Sequence, residues 1–265
     1  METTLEQTET KCKQLENYEL LADLFIYPQD ESYKKKIKNI HDYLLKCSPE
    51  SAEAMKLFIE FTETSTMKEM QELFLRSFDV QAVTTLDIGF ILFGEDYKRG
   101  QLLVHLNREH REAGNDCGVE LSDHLPNVLR LLSKMSRQSW DPSFGGKDET
   151  MRNEIATRLV IPAIVKMISE FSVEKIEKKD VVYKKHQKTI LDYSQKYRRV
   201  YQTLLQALFI ALKKDFGYES IPTESGEVKN ASSATACVEP SSCSCGSQEK
   251  DFKQNIETEM LIEKE

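Results

Sequence analysis

Apolar positions along this chain recur at the three- and four-residue spacing of helices, and no convincing stretch alternates apolar with polar as a half-buried strand would. Leu15, Tyr18, Ala22 and Phe25 fall on one helical stripe that Pro28 terminates. A second helix is predicted from Asp30 or Glu31 to Lys46, with Tyr33, Ile37, Ile40 and Leu44 inward. Ser48-Pro49-Glu50 opens a third, because a first helical turn tolerates proline. Its inner face is Met55, Phe58 and Ile59, with Phe61 at the margin.

In the middle of the chain, Met67, Met70, Phe74 and Phe78 form one helical face that stops at Phe78-Asp79. Thr84 or Thr85 is placed to cap the next helix, with Leu86, Phe90 and Phe93 along its buried side. Gly94 interrupts the pattern and could adopt a left-handed backbone. Glu95-Asp96 then opens a helix at the end where carboxylates suit the dipole. Leu102, Leu106 and Ala113 mark its inner face and Gly114 its stop. Ser122-Asp123 starts another helix that turns Val128, Leu129, Leu132 and Met135 inward. Pro126 lacks an N–H and fits only a first turn, so Asp123 is the cap candidate.

Between Ser139 and Asp148, the run WDPSFGGKD reads as a loop. Helix resumes through Ile155, Leu159 and Ile161, with a kink or restart at Pro162. A last block from Lys179 to Phe216 carries Ile190, Tyr193, Tyr197, Tyr201, Leu204, Leu208 and Ala211 at helical spacing, and Gly217 ends it. From Tyr218 onward the composition shifts to Ser, Glu, Thr, Ala and Cys. The chain thus divides into a flexible N-terminus over 1–14, one all-α helical bundle domain over 15–218, and a disordered acidic, Cys-containing tail over 219–265.

Composition supports the helical reading, with only 10 Gly and 7 Pro in 265 residues beside 30% charged and 40% hydrophobic residues. The net charge of −8 is unevenly placed: residues 219–265 hold ten acidic and four basic side chains, which leaves −2 for the rest. A folded part so close to neutral argues against a general nucleic-acid binder. No run reaches the about 18 apolar residues that span a bilayer, and METTLEQTETKCKQ lacks the apolar core of a signal peptide. A cytoplasmic protein is expected. The six cysteines, at 12, 47, 117, 237, 243 and 245, show no disulfide-framework spacing, which fits a reducing compartment.

Signatures of catalysis are absent: no GxxxxGK[ST], HExxH or GxSxG occurs, and Gly145-Gly146 follows no predicted strand. His105 and His110 lie five apart, a poor spacing for two ligands on one helical face, with Cys117 and His124 beyond them. Cys237, Cys243 and Cys245 are soft-metal candidates by chemistry alone. In an acidic tail without histidine, unstructured thiols explain them as well. The basic stretch from Lys175 to Arg199 reads as a solvated helix face, with an acidic partner surface as the alternative.

The order FD, LFGE, RG..L..L and EL.DHLP..L..L, carried by residues 78–132, resembles the redox-enzyme maturation chaperones, the NarJ, TorD and DmsD group. It is most similar to the NarJ branch that assembles nitrate reductase. A weaker match runs upstream through YELLADLFIYPQDESY and FTETSTMKEMQELFLRSFD. Two positions depart from the pattern: Ser122 stands where proline is usual and Arg130 where glutamate is common. The resemblance implies a TorD-like helical bundle that binds the apo catalytic subunit of a molybdoenzyme, often at its N-terminal segment. The chaperone would hold that subunit ready for molybdopterin guanine dinucleotide without retaining the cofactor itself. It also implies a leader-peptide site drawn from Asp79, Phe93, Arg99, Gly100, Glu120, Asp123, His124 and Pro126.

The residues alone permit plainer roles. Asp123 reads as a cap and His124 as a half-exposed first-turn residue, and adjacent helical side chains point too far apart to act as a catalytic dyad. Arg99 reads as a surface arginine near Glu95 or Asp96, while Phe78, Asp79, Phe93 and Gly94 suit packing and turns. A competing reading of the whole chain is a helical scaffold or regulator with a metal-binding or redox-sensing Cys tail.

Overall fold

Helices form where the apolar spacing requires them, and two long buried rows organise the rest. In the computed structural model, which describes residues 18–80, 82–138, 147–172, 175, 199–218, 220–221 and 229–230, the helices are α1 (Tyr18–Ala22), α2 (Ser32–Cys47), α3 (Pro49–Ala54), α4 (Lys56–Thr64), α5 (Met67–Phe78), α6 (Ile88–Phe93), α7 (Tyr97–Glu112), α8 (Leu125–Gln138), α9 (Lys147–Glu154), α10 (Ile161–Glu170) and α11 (Val200–Asp215). A 3-10 turn, Asp23–Phe25, extends α1. Extended pairing among the described residues is confined to a two-residue antiparallel ladder, Ser220–Ile221 with Lys229–Asn230, and one isolated bridge between Asp87 and His124. The all-α expectation holds. No helix among the described residues is long and apolar enough to cross a membrane.

Helix α8 lies against α1, and α11 against α3, α4 and α10. Leu125, Val128, Leu129, Leu131 and Leu132 of α8 are fully buried, as are Leu204, Leu205 and Leu212 of α11. The point where these layers meet is aromatic. The Phe78 ring sits 4.8 Å from Tyr201, 5.4 Å from Phe74, and 6.4 Å from both Phe25 and Phe171, all in edge-on geometry. The face predicted for α5 is therefore the hub of the core.

Local signals set most boundaries. Thr66 and Glu69 form a reciprocal capping box at the start of α5. Asp96 accepts from the Lys98 N–H at 2.8 Å and opens α7 as the sequence predicts. Gly94, with φ 64°, lets the chain turn sharply between α6 and α7, and Gly114 and Gly217 follow α7 and α11 with positive φ. Pro162 leaves its mark upstream. Residues Ile155–Val160 widen into a π-helix in which the Ile161 N–H reaches back to Ala156, so the proline ring does not collide with the turn before it.

Several expectations are corrected. The third predicted helix is two, α3 and α4, broken at the fully buried Met55, and Phe61 is more buried than Ile59. Neither Thr84 nor Thr85 caps α6, which begins after Asp87; Thr85 Oγ1 accepts the Asp87 N–H at 3.2 Å in a turn ahead of it. Phe90 and Phe93 are exposed, at 40% and 39%. With six residues α6 makes fewer than two turns, and it packs on α10 and α7 with Ile88 and Gly89 buried instead. Asp123 is not the α8 cap: the helix starts two residues later, and the Asp123 carboxylate is engaged elsewhere. Leu15 and the N-terminal segment, most of the WDPSFGGKD loop, residues 179–198 of the last block, and nearly all of the tail with Cys237, Cys243 and Cys245 lie outside the described residues.

Candidate functional site

A groove of about 610 Å³ opens over the aromatic hub. Phe25, Phe74, Leu75 and Phe78 form its floor, and Tyr27, packed edge-on to Phe74 at 5.7 Å, its outer lip. One wall is the connection into α6 at Thr85, Leu86 and Asp87. The other is the loop ahead of α8, Cys117 to Glu120, with the exposed Val119, followed by His124, Pro126, Asn127 and Arg130. Asp79, the residue that closes α5, stands at its edge.

The two walls are stitched together by backbone. The Ile88 N–H donates to the Asp123 carbonyl at 3.0 Å, and the Leu125 N–H to the Leu86 carbonyl at 2.9 Å. Side chains complete the join. Arg99, reaching in from α7, donates through Nε to Asp123 Oδ2 at 3.0 Å and through Nη2 to Asp87 Oδ2 at 3.2 Å. The other oxygen of Asp87 faces His124 Nδ1 at 3.1 Å, and Glu120 Oε2 lies 4.0 Å from the same nitrogen. The hydrogen bond from His124 holds the Asp87 carboxyl below its ordinary range, against the opposing effect of partial burial. Phe90 supports the guanidinium of Arg99 from 5.4 Å.

Asp123 sits at the closed end of this chain of contacts. It is fully buried, and its Oδ1 has no hydrogen-bond partner among the described residues. Gly89 is what lets it fit: a Cβ there would lie 2.6 Å from Asp123 Oδ2 and 2.9 Å from Leu102 Cδ2. Glycine at 89 is thus explained by a close approach and not by backbone conformation.

A second polar network shapes the loop. His110 Nε2 meets the Ser122 carbonyl at 2.9 Å, so that nitrogen carries the proton, and Nδ1 accepts from the Asn115 amide at 2.8 Å. Asn115 also donates to the Asn127 carbonyl, and Asn127 to the carbonyls of Cys117 and Leu121. Burial pushes the His110 pKa down, consistent with a neutral ring. Burial, aided by Asp116, pushes the Cys117 thiol up, away from the thiolate form. Among the described residues no three His, Cys, Asp or Glu side chains gather as metal ligands.

Of the residues singled out in the sequence, Asp79, Glu120, His124 and Pro126 line the groove. Asp123 and Arg99 are not among the lining residues, and Arg99 links the Asp123 carboxylate to Asp87 on the groove wall. Arg99 pairs with Asp87 and Asp123, not with Glu95 or Asp96. Gly100, open to solvent on α7, and Phe93 do not border the groove. Of the two departures from the family pattern, Ser122 is buried and Arg130 is held by Asp23 at 3.6 Å and Asn127 at 3.3 Å. Sequence reasoning missed Asp87, whose partners lie 12 and 37 residues away at spacings that carry no local signal. No family model matches the chain, and no curated protein does.

Proposed function

We propose that this chain is a cytoplasmic assembly chaperone of the redox-enzyme maturation type, which binds the apo catalytic subunit of a nitrate-reductase-type molybdoenzyme. It keeps that subunit competent for insertion of molybdopterin guanine dinucleotide and then leaves, acting as a binder and not as a catalyst. The observation that carries this reading is the groove: an aromatic floor beneath a rim that holds Asp79, Asp87 and Glu120, with His124 and Pro126 from the stretch that resembles the family. An amphipathic segment could set apolar anchors on Phe74 and Phe78 while a cation of its polar face meets the carboxylates.

The test is purification of the tagged chain from its native cell under conditions that block cofactor synthesis. The expected result is recovery of a molybdoenzyme catalytic subunit lacking cofactor, in an amount that falls when Phe74→Glu fills the groove floor with charge. Recovery of no such subunit, or equal recovery with both proteins, would remove the reading.

A further inference from the structure

Helix α7 turns an uncovered face outward, on the side opposite the one from which Arg99 reaches Asp87 and Asp123. At about 100° per residue, Tyr97, Gly100, Val104, Arg108 and Arg111 fall on one outer stripe, and the buried Leu106 and His110 fall across from it. Tyr97 is 67% exposed and Val104 64%, and Phe90 and Phe93 stand exposed on the adjoining α6. Apolar side chains bared singly are ordinary, but here they gather within residues 90–104. Gly100 lies in the middle of the stripe. Its backbone is plain helix, and a Cβ there would meet nothing within 4 Å. Glycine inside a helix gives up stability relative to alanine, and nothing in its own chain requires it. The missing side chain leaves room for another helix to come close.

We infer that this stripe is an interface between two copies of this chain, with their α7 helices packed antiparallel across a two-fold axis. Spacing and charge both select a second copy. Tyr97, Gly100, Val104 and Arg111 keep the alternating three- and four-residue steps of a helix–helix seam. About an axis near Leu102, Val104 of each copy enters the space left at Gly100 of the other, and the symmetry makes that contact twice. The turn into α7 carries the exposed Glu95 and Asp96, and the far end of the stripe carries Arg108 and Arg111. Arg108 is shared with Glu109 and Glu112 on the flank, whereas neither Glu95 nor Arg111 has an ion-pair partner among the described residues. Antiparallel packing sets each acidic start beside the other copy's basic end, and parallel packing would oppose like charges. One helix stripe is a small interface, so the dimer is reversible and micromolar. It does not depend on what the groove binds.

Sedimentation equilibrium of the full chain, from about 2 to 300 µM, reads the association by mass action. A reducing buffer keeps the six cysteines from linking copies. The mass should rise with concentration from 30.6 kDa toward twice that value. Gly100→Gln separates the interface from the fold. Glutamine is the better helix former at an open position, so this variant should melt no lower than the unaltered chain, yet it should dimerise about tenfold or more weakly. Val104→Glu should be monomeric throughout with unchanged helical circular dichroism. Glu95→Lys and Arg111→Glu should each weaken association, and both in one chain should restore it. A chain that stays monomeric at the highest concentration overturns the inference. A dimer left equally tight by Gly100→Gln and Val104→Glu overturns it too, because its interface then lies elsewhere. Failure of the double charge variant to recover rules out the antiparallel pairing.

Discussion

Helices α5 and α7 are separated by the short α6 and comparable in length, yet they are held by different means. Helix α5 buries Met70, Leu73, Phe74, Ser77 and Phe78 along one stripe and is opened by its own capping box. Helix α7, 16 residues long, buries only Leu106 and His110. What fixes α7 is polar: Arg99 near its start enters the Asp87–Asp123 pair, and His110 near its end joins the Asn115–Asn127 network. Apolar burial is non-directional and holds α5 wherever its stripe can be covered. The anchors of α7 are directional, so this helix fixes the geometry of the groove wall as well as adding to stability.

The comparison can be broken at several points. The largest expected loss is from Phe78→Ala, which empties the ring cluster at the core and should cost about 3–5 kcal/mol in denaturant unfolding. Arg99→Ala should approach it, at about 3–5 kcal/mol, because Asp123 is left buried without a counter-charge. The sharper version pairs Arg99→Met with Asp123→Leu, which removes both charges and should regain more than half of that loss. If Arg99→Ala unfolds like the unaltered protein, α7 is not anchored as argued.

A smaller effect follows at the capping box. Thr66→Ala removes the acceptor for the Glu69 N–H and should cost about 0.5–2 kcal/mol, with the groove geometry unchanged. The finest test is pH. His110 is held below its ordinary pKa, so the unfolded chain takes up a proton that the folded chain resists, and stability should fall as pH drops below the ordinary imidazole range. Thermal melts at pH 7.5 and 5.5 should show a larger drop for the unaltered protein than for His110→Gln. Equal drops would place the acid sensitivity elsewhere.

The helical class, most boundaries and the inward faces of α2, α5, α8 and α11 were legible in the sequence, because each depends on residues a turn or two apart. Pro162, Gly94 and Asp96 act on their immediate neighbours and behave as read. Misreadings came where a residue had a more distant use. Asp123 has a cap's composition, and Asp87 occupies a cap position, but Arg99 claims both carboxylates across 24 and 12 residues of chain. Phe90 and Phe93 have the spacing of an inner face, but so short a helix is oriented by what it leans on. The groove follows the same division. Its apolar floor is written in the periodicity of α5, since hydrophobic spacing is a local property. Its charge pattern was decided only when the fold brought Asp87, Arg99, Asp123 and His124 within hydrogen-bond reach, because ion pairing selects by distance in space and leaves no period along the chain.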